Sequence, residues 1–327
     1  MASTKAEGGT LVIAARIHAW GAPPQLDEIP QPVRQPGHSL VAVAAAALAR
    51  LDIAVAAGTF AQLPPLPYIM GVDGAGMVLE SESYPAGTRV RIRGGGVGTG
   101  RDGTCAERIS VPDEALYPIA ANVDYCTAAT FFSPCATAYA AVTLIGRLQP
   151  GETVAVAGAA GAVGRMVVQL AAAGGAARIL GIEADREHAA QVLPAAEPRW
   201  GPESLRAADR TDLLVDMSGG QQLADLVASM RPGGRAVLVG YAAGTEVTLN
   251  LPVLLAADVR LLPMNLIRWA SKLDGAADEL LARIAASELT FDYVTAPLAH
   301  VAHHVQCLRN STIGRLAITI KSMEEST

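Results

Sequence analysis

The sequence predicts an α/β protein with two domains, a doubly wound parallel sheet and a second, β-rich part. Three observations predict it. From about Asp124 onward, apolar strands alternate with helical stretches, which is the rhythm of strand, crossover helix and strand. The first third is instead rich in Val, Gly and Pro, with short apolar runs broken by turns. At 327 residues the chain is long enough to bury two cores of ordinary size.

In order along the chain, Leu11–Ala15 and Leu40–Ala46 read as strands, separated by Pro-Pro and Pro-Gly turns. Tyr84–Arg93 reads as a turn feeding a strand, and Gly94–Gly103 holds so many glycines that it is expected to be a loop or a close backbone approach. Thr127–Ile145 is expected to be helical, Gly151–Ala157 a buried strand, and Val163–Ala173 a helix closed by Gly174. Arg178–Glu183, Asp212–Asp216 and Gly234–Gly240 are the next apolar strands, alternating with helices at Asp185–Leu193 and Gly220–Met230. Leu273–Ser287 is an amphipathic helix, and Gly314–Lys321 is a closing strand expected to rejoin the first domain. The expected division is 1–123 with 291–327, and 124–290 between them.

Composition narrows the function. Hydrophobic residues make up 51% of the chain, but Ala supplies much of this, and no apolar run approaches the ~18 residues that cross a bilayer. Residues 1–10 lack the apolar core of a signal peptide, so a soluble, cytoplasmic protein with no membrane partner is expected. The cysteines, Cys105, Cys126, Cys135 and Cys307, show no close pairing, and thiols rather than disulfides are expected. A net charge of −6 without a basic cluster speaks against nucleic acid and favours a small-molecule substrate.

The strand ending at Ala157 runs into Gly158-Ala-Ala-Gly-Ala-Val-Gly164 and then a helix. Backbone amides and a helix N-terminus meeting at such a turn suit a pyrophosphate, so Gly158, Ala160, Gly161, Ala162, Val163 and Gly164 are candidate cofactor-binding residues. Any tight strand-to-helix turn also needs glycine. Glu183 adds weight, because it ends the next strand 19 residues after Gly164, where a carboxylate accepts from an adenosine ribose. It favours NADH over NADPH, although Arg186 is placed to pair with a 2′-phosphate if Glu183 turns away. Both residues also suit a solvated strand end and helix start.

The stretch Leu148–Gly164 resembles the cofactor-loop signature of the medium-chain dehydrogenase/reductase superfamily, in its zinc-free quinone oxidoreductase-like or enoyl reductase branch. Gly71–Val78, Gly103–Pro112, Leu214–Gly220 and Arg231–Gly240 extend the resemblance over both domains. It implies a GroES-like catalytic domain, a Rossmann domain, an active site in the cleft and a homodimer joined through the Rossmann sheet edge.

Where alcohol dehydrogenases of this superfamily carry zinc ligands, this chain has Ala49, Val72 and Ser133, none of which is a usual zinc ligand. Cys135, two residues on, lacks partner ligands, and a buried structural thiol is its plainer reading. A metal-free enzyme is expected. Without a Lewis acid the easier reaction is hydride addition from NAD(P)H to a quinone or an α,β-unsaturated carbonyl. The Asn that quinone reductases often carry at Ala49, and the Tyr of enoyl reductases at Ile53, are both missing. The alternative is therefore a non-redox cyclase, isomerase or binding protein on the same fold.

By position, Thr137 and Gly240 join the cofactor candidates, and Trp20, Phe60, Tyr68, Cys135 and Tyr241 are candidates for a substrate pocket. His300, His303, His304 and Cys307 have helical spacing, with His300, His304 and Cys307 on one face, but are expected to be solvated or capping residues.

Overall fold

A computed structural model describes residues 10–201, 210–269, 272–310 and 315–320. Gly314 and Lys321, the ends of the expected closing strand, and residues 1–9 lie outside the described residues. The chain divides into two compact units, Met1–Phe131 with Thr290–Thr327, and Phe132–Leu289.

The first unit contains β1 (Leu11–Ile17), β2 (Gln25–Pro30), β3 (His38–Leu48), helix α1 (Arg50–Ala56), β4 (Tyr68–Ile69), β5 (Gly74–Glu80), β6 (Arg89–Ile92), β7 (Arg108–Pro112), β8 (Leu116–Pro118) and α2 (Tyr125–Thr130). The second contains α3 (Phe132–Tyr139), β9 (Thr153–Ala157), α4 (Ala162–Ala173), β10 (Arg178–Glu183), α5 (Arg186–Ala189), β11 (Glu197–Trp200) and β12 (Leu213–Asp216). It continues through α6 (Gly220–Ala228), β13 (Arg235–Leu238), α7 (Leu251–Ala257), β14 (Arg260–Pro263), α8 (Leu266–Trp269) and α9 (Asp274–Ala285). The chain then returns to the first unit with β15 (Val294–Pro297), α10 (Val301–Asn310) and β16 (Leu316–Thr319).

In the second unit the strands run in the order β11-β10-β9-β12-β13-β14, all neighbours parallel. This is the doubly wound order, with β9 at the point where the winding reverses. Every residue of β9 is buried, as expected of a Val/Ala strand covered on both faces. The unit's core gathers Ala155, Ala157, Ile182, Leu214, Leu223, Leu226 and Val227 from the sheet and α6.

Two strands escape a reading of apolar runs. β11 is Glu-Pro-Arg-Trp and β14 is Arg-Leu-Leu-Pro, and both stand at edges of the sheet among the described residues, where charge and proline are tolerated. The helix expected over Asp185–Leu193 is one turn, Arg186–Ala189.

In the first unit an antiparallel sheet runs β15-β16-β3-β5-β6-β8, with β7 also pairing β3, and a smaller one runs β2-β1-β4. β15 and β16 are the parallel pair of the larger sheet. β16 pairs with β3, Leu316 opposite Leu48, so the carboxy-terminal segment does rejoin this unit. The stretch expected to be one helix over Thr127–Ile145 divides at Phe131. Pro134, which has no N–H to donate, is accommodated in the first turn of α3, and Ala140–Ile145 widens into a π-helical segment. Helix α2 buries Thr127, Ala128, Ala129 and Thr130 and packs on β3, β5 and β16. That packing moves the division from 123 to 131. No described helix is long and apolar enough to cross a membrane.

Candidate functional site

The turn after β9 is built almost entirely from backbone. Gly158 takes a positive φ of 82°, open to glycine at little cost, and its N–H donates to the Ile182 carbonyl at 2.8 Å. Gly161 caps α4, with its N–H donating to the Gly158 carbonyl at 3.1 Å. A Cβ on Gly164 would fall inside contact distance of the Gly158 carbonyl oxygen and close to Ala159 Cα. Only glycine lets α4 start this close to β9. The opening amides of α4, at Val163 and Gly164, have no acceptor within their own helix and add to the positive end of its dipole. The residues therefore fit a pyrophosphate.

Glu183 ends β10 beside this turn and is only 9% exposed. Its Oε1 accepts from the Ala160 N–H at 2.6 Å, so the carboxylate is fixed to the loop itself. Burial pushes the Glu183 carboxyl above its ordinary range, opposed by that amide. Arg186 begins α5, exposed, with its guanidinium 5.9 Å from the Trp200 ring centroid. Trp200 lies opposite Glu183 in the register of β10 and β11. Ala160, Glu183, Arg186 and Trp200 thus gather on one corner of the sheet. Trp200 escaped the sequence reading because β11 carries no apolar run.

At the end of β12, Asp216 is fully buried and organises the next turn. Its Oδ1 accepts from the Ser218 N–H at 3.1 Å and hydroxyl at 2.5 Å, and Oδ2 from the Gly219 N–H at 2.9 Å. The signal for it was an Asp closing a buried strand before Ser-Gly-Gly, an Asx turn. Gly240 lies against this turn, where a Cβ would crowd the Met217 carbonyl at 2.7 Å. Tyr241 beside it is 72% exposed. Thr137 and Cys135 are buried in α3, Cys135 completely.

In the first unit, Asp52 is 3% exposed and ties together the backbones of Ala49 and Val72. Oδ2 accepts from the Ala49 N–H and Oδ1 from the Val72 N–H, both at 2.8 Å. Burial pushes this carboxyl up to about 7, against the pull of the two amides. Asp73 forms an ion pair with Arg93, Nη1 reaching Oδ1 at 2.9 Å and Oδ2 at 3.1 Å. Neither Asp52's amide partners nor this pair was apparent from spacing.

Among the expected pocket aromatics, Trp20 is 39% exposed, Phe60 is half-buried against the core, and Tyr68 is 2% exposed. Tyr68 is therefore a core residue that backs Trp20, ring centroids 5.8 Å apart, and does not line an open surface. Burial and neighbouring Asp52 and Cys105 keep its phenol protonated, well above the usual range. On α10 the structure brings Cys307 to His303, at 3.5 Å, in place of the expected His300, His304 and Cys307 face.

Residues 35–121 match the alcohol dehydrogenase GroES-like domain family. The chain is 29% identical over 222 residues to quinone oxidoreductase-like protein 2 of Rattus norvegicus, a match covering 64% of this chain and 62% of the relative. The chain thus spans under two thirds of that relative's length. It is 27% identical over 263 residues to the quinone oxidoreductase of Homo sapiens, covering 74% of this chain and 77% of the relative. The solved structure of the quinone oxidoreductase from Thermus thermophilus, also studied as a complex with NADPH, superposes with a TM-score of 0.75 at 26% identity, covering 94% of this chain and 99% of that one. The doubly wound sheet, the glycine turn at its switch point and these relatives support the resemblance to the medium-chain dehydrogenase/reductase superfamily, in its quinone oxidoreductase-like branch.

Proposed function

We propose that the chain is a zinc-independent, NAD(P)H-dependent reductase of quinones or α,β-unsaturated carbonyls, with NADH preferred. The observation that carries this reading is the glycine turn with Glu183 fixed to its Ala160 amide. Gly158–Gly164 would hold the pyrophosphate, and Glu183 would accept from the adenosine ribose hydroxyls, which disfavours a 2′-phosphate. When bound, a nicotinamide supplies the hydride.

The chain's own residues then bind and orient the acceptor. Trp20, exposed and backed by Tyr68, offers an aromatic surface to a planar conjugated substrate. Ala49, Val72 and Ser133 supply none of the usual zinc ligands, which supports chemistry on an acceptor already activated by conjugation. With Ala49 and Ile53 in place of polar donors, the developing enolate takes its hydrogen bonds from backbone amides and water.

A homodimer through the edge of the second unit's sheet is part of the reading. Helix α7 buries none of its residues, and Leu251 and Leu255 on it and Ile267 on α8 are exposed near the edge strand β14. Light scattering on the purified chain should give twice the 33.7 kDa of one protomer; a monomer would remove that element.

The activity test mixes purified protein and either nucleotide with a panel of quinones and enones. NADH oxidation dependent on the acceptor supports the proposal. Nucleotide binding without oxidation of any acceptor favours the non-redox reading, for which the losses at Ala49 and Ile53 are the motive. Absence of nucleotide binding contradicts both the cofactor and the reaction.

A further inference from the structure

At the end of α4 opposite the glycine turn, a groove of about 190 Å³ opens between α4, α9 and the π-helical segment that follows α3. Buried Leu170 and Leu280 give it apolar lining. Its polar lining comes from three elements: Tyr139 ends α3, Thr143 is exposed on the π-helical segment, and Glu279 is exposed on α9. The proposed reduction uses none of them.

Among the described residues, the Tyr139 hydroxyl, the Thr143 hydroxyl and the Glu279 carboxylate take part in no hydrogen bond or ion pair. A threonine inside a helix commonly bonds back to the carbonyl one turn before, as Thr130 Oγ1 does to the Cys126 carbonyl at 2.7 Å. Thr143, where the helix widens, keeps its hydroxyl for the groove. Arg283 stands one turn beyond Glu279 at the rim, but its Nε is turned to Glu288 Oε2 at 3.4 Å and leaves the Glu279 charge uncompensated. Helix α4 ends here, at Ala173 with Gly174 as its cap, so the negative end of its dipole lies at the same groove. Carboxylate, hydroxyl oxygens, aromatic ring and helix end all favour a cation.

We propose that this groove is a binding site for a small organic amine, a protonated ammonium on a short apolar body. The ammonium donates to the Glu279 carboxylate and the Thr143 hydroxyl, beside the Tyr139 ring, and the hydrocarbon lies on Leu170 and Leu280. The volume suits a ligand of one ring and a short chain, since an apolar cavity of about 150 Å³ takes benzene. A neutral ligand of the same shape gains only the apolar contact, and an anion meets Glu279 and the helix end. The site lies within the second unit, and the proposal holds whether or not the chain is a reductase.

The test is calorimetric titration of the full chain with phenethylamine, and with phenethyl alcohol and hydrocinnamate as its neutral and anionic counterparts. The expected result is saturable binding of one phenethylamine per chain, about tenfold or more tighter than the alcohol, with the acid weakest. Glu279→Gln, a change at an exposed position, should bring the amine down to the affinity of the alcohol. Ala173→Phe, which fills the groove from an exposed helix end, should abolish binding of both. No saturable binding of phenethylamine to the wild-type chain, an alcohol bound as tightly as the amine, or a Glu279→Gln variant equal to wild type would each overturn the site.

Discussion

The glycine turn of the second unit and the Ala49–Val72 region of the first both depend on backbone amides held by a buried carboxylate. Glu183 takes the Ala160 amide, and Asp52 takes those of Ala49 and Val72. The two regions differ in what surrounds the amides. At the glycine turn the missing Cβ of Gly164 leaves α4 close to β9, and the amides at the start of α4 suit an anion. At Ala49 and Val72 the amides are held in the same way, but the side chains are aliphatic and offer a metal no donor atom.

The largest effect that would sharpen this comparison is a pH dependence at Asp52. Its folded carboxyl titrates near 7 against an ordinary 3.8, so between those values the folded chain keeps a proton that the unfolded chain has released. Stability is therefore expected to fall as pH rises from roughly 4 to 7, by up to about 4 kcal/mol, and to level off above. Asp52→Asn, which does not titrate, should lose most of that slope in urea unfolding. An unchanged slope would show that Asp52 is not the strained carboxylate of this unit.

Next in size is Gly164→Ala. Its Cβ meets the Gly158 carbonyl, so the loop must open, and NADH affinity is expected to fall about a hundredfold, roughly 2.7 kcal/mol. Calorimetric titration checks it. Binding within threefold of wild type would break the claim that backbone geometry holds the cofactor.

Much of this comparison was legible in the sequence, and the reasons are physical. The buried strands of the doubly wound sheet stand out because a strand covered on both faces must be apolar throughout, as β9 is. The glycine turn stands out because no other residue type fits at Gly164. Edge strands β11 and β14 carry Pro198, Arg260 and Pro263, and their pairing comes from the sheet rather than from their own residues. Long-range bonds leave no local pattern either. Nothing near Asp52 announces that Val72, twenty residues on, will donate to it. Tyr68 is a pocket candidate by position alone, yet strand pairing with Ile17 carries it into the core.

A smaller effect is expected at Glu183. Glu183→Ala removes the ribose acceptor and releases the Ala160 amide, so NADH affinity should fall about tenfold, roughly 1.4 kcal/mol, while NADPH affinity holds or rises. Equal losses for the two nucleotides would assign Glu183 to loop structure alone. The smallest expected effect is none: prolonged treatment with a strong zinc chelator should leave turnover unchanged, because Ala49 and Val72 give a catalytic ion nothing to bind. Turnover that disappears with the metal and returns with zinc would reverse the contrast between the two regions.

The most direct test of the central claim is titration of the purified wild-type chain with NADH and with NADPH under one set of conditions. The expected result is saturable binding of one nucleotide per chain, tighter for NADH, as a turn shaped by Gly158 and Gly164 and a carboxylate at Glu183 require. Binding of neither nucleotide would contradict it.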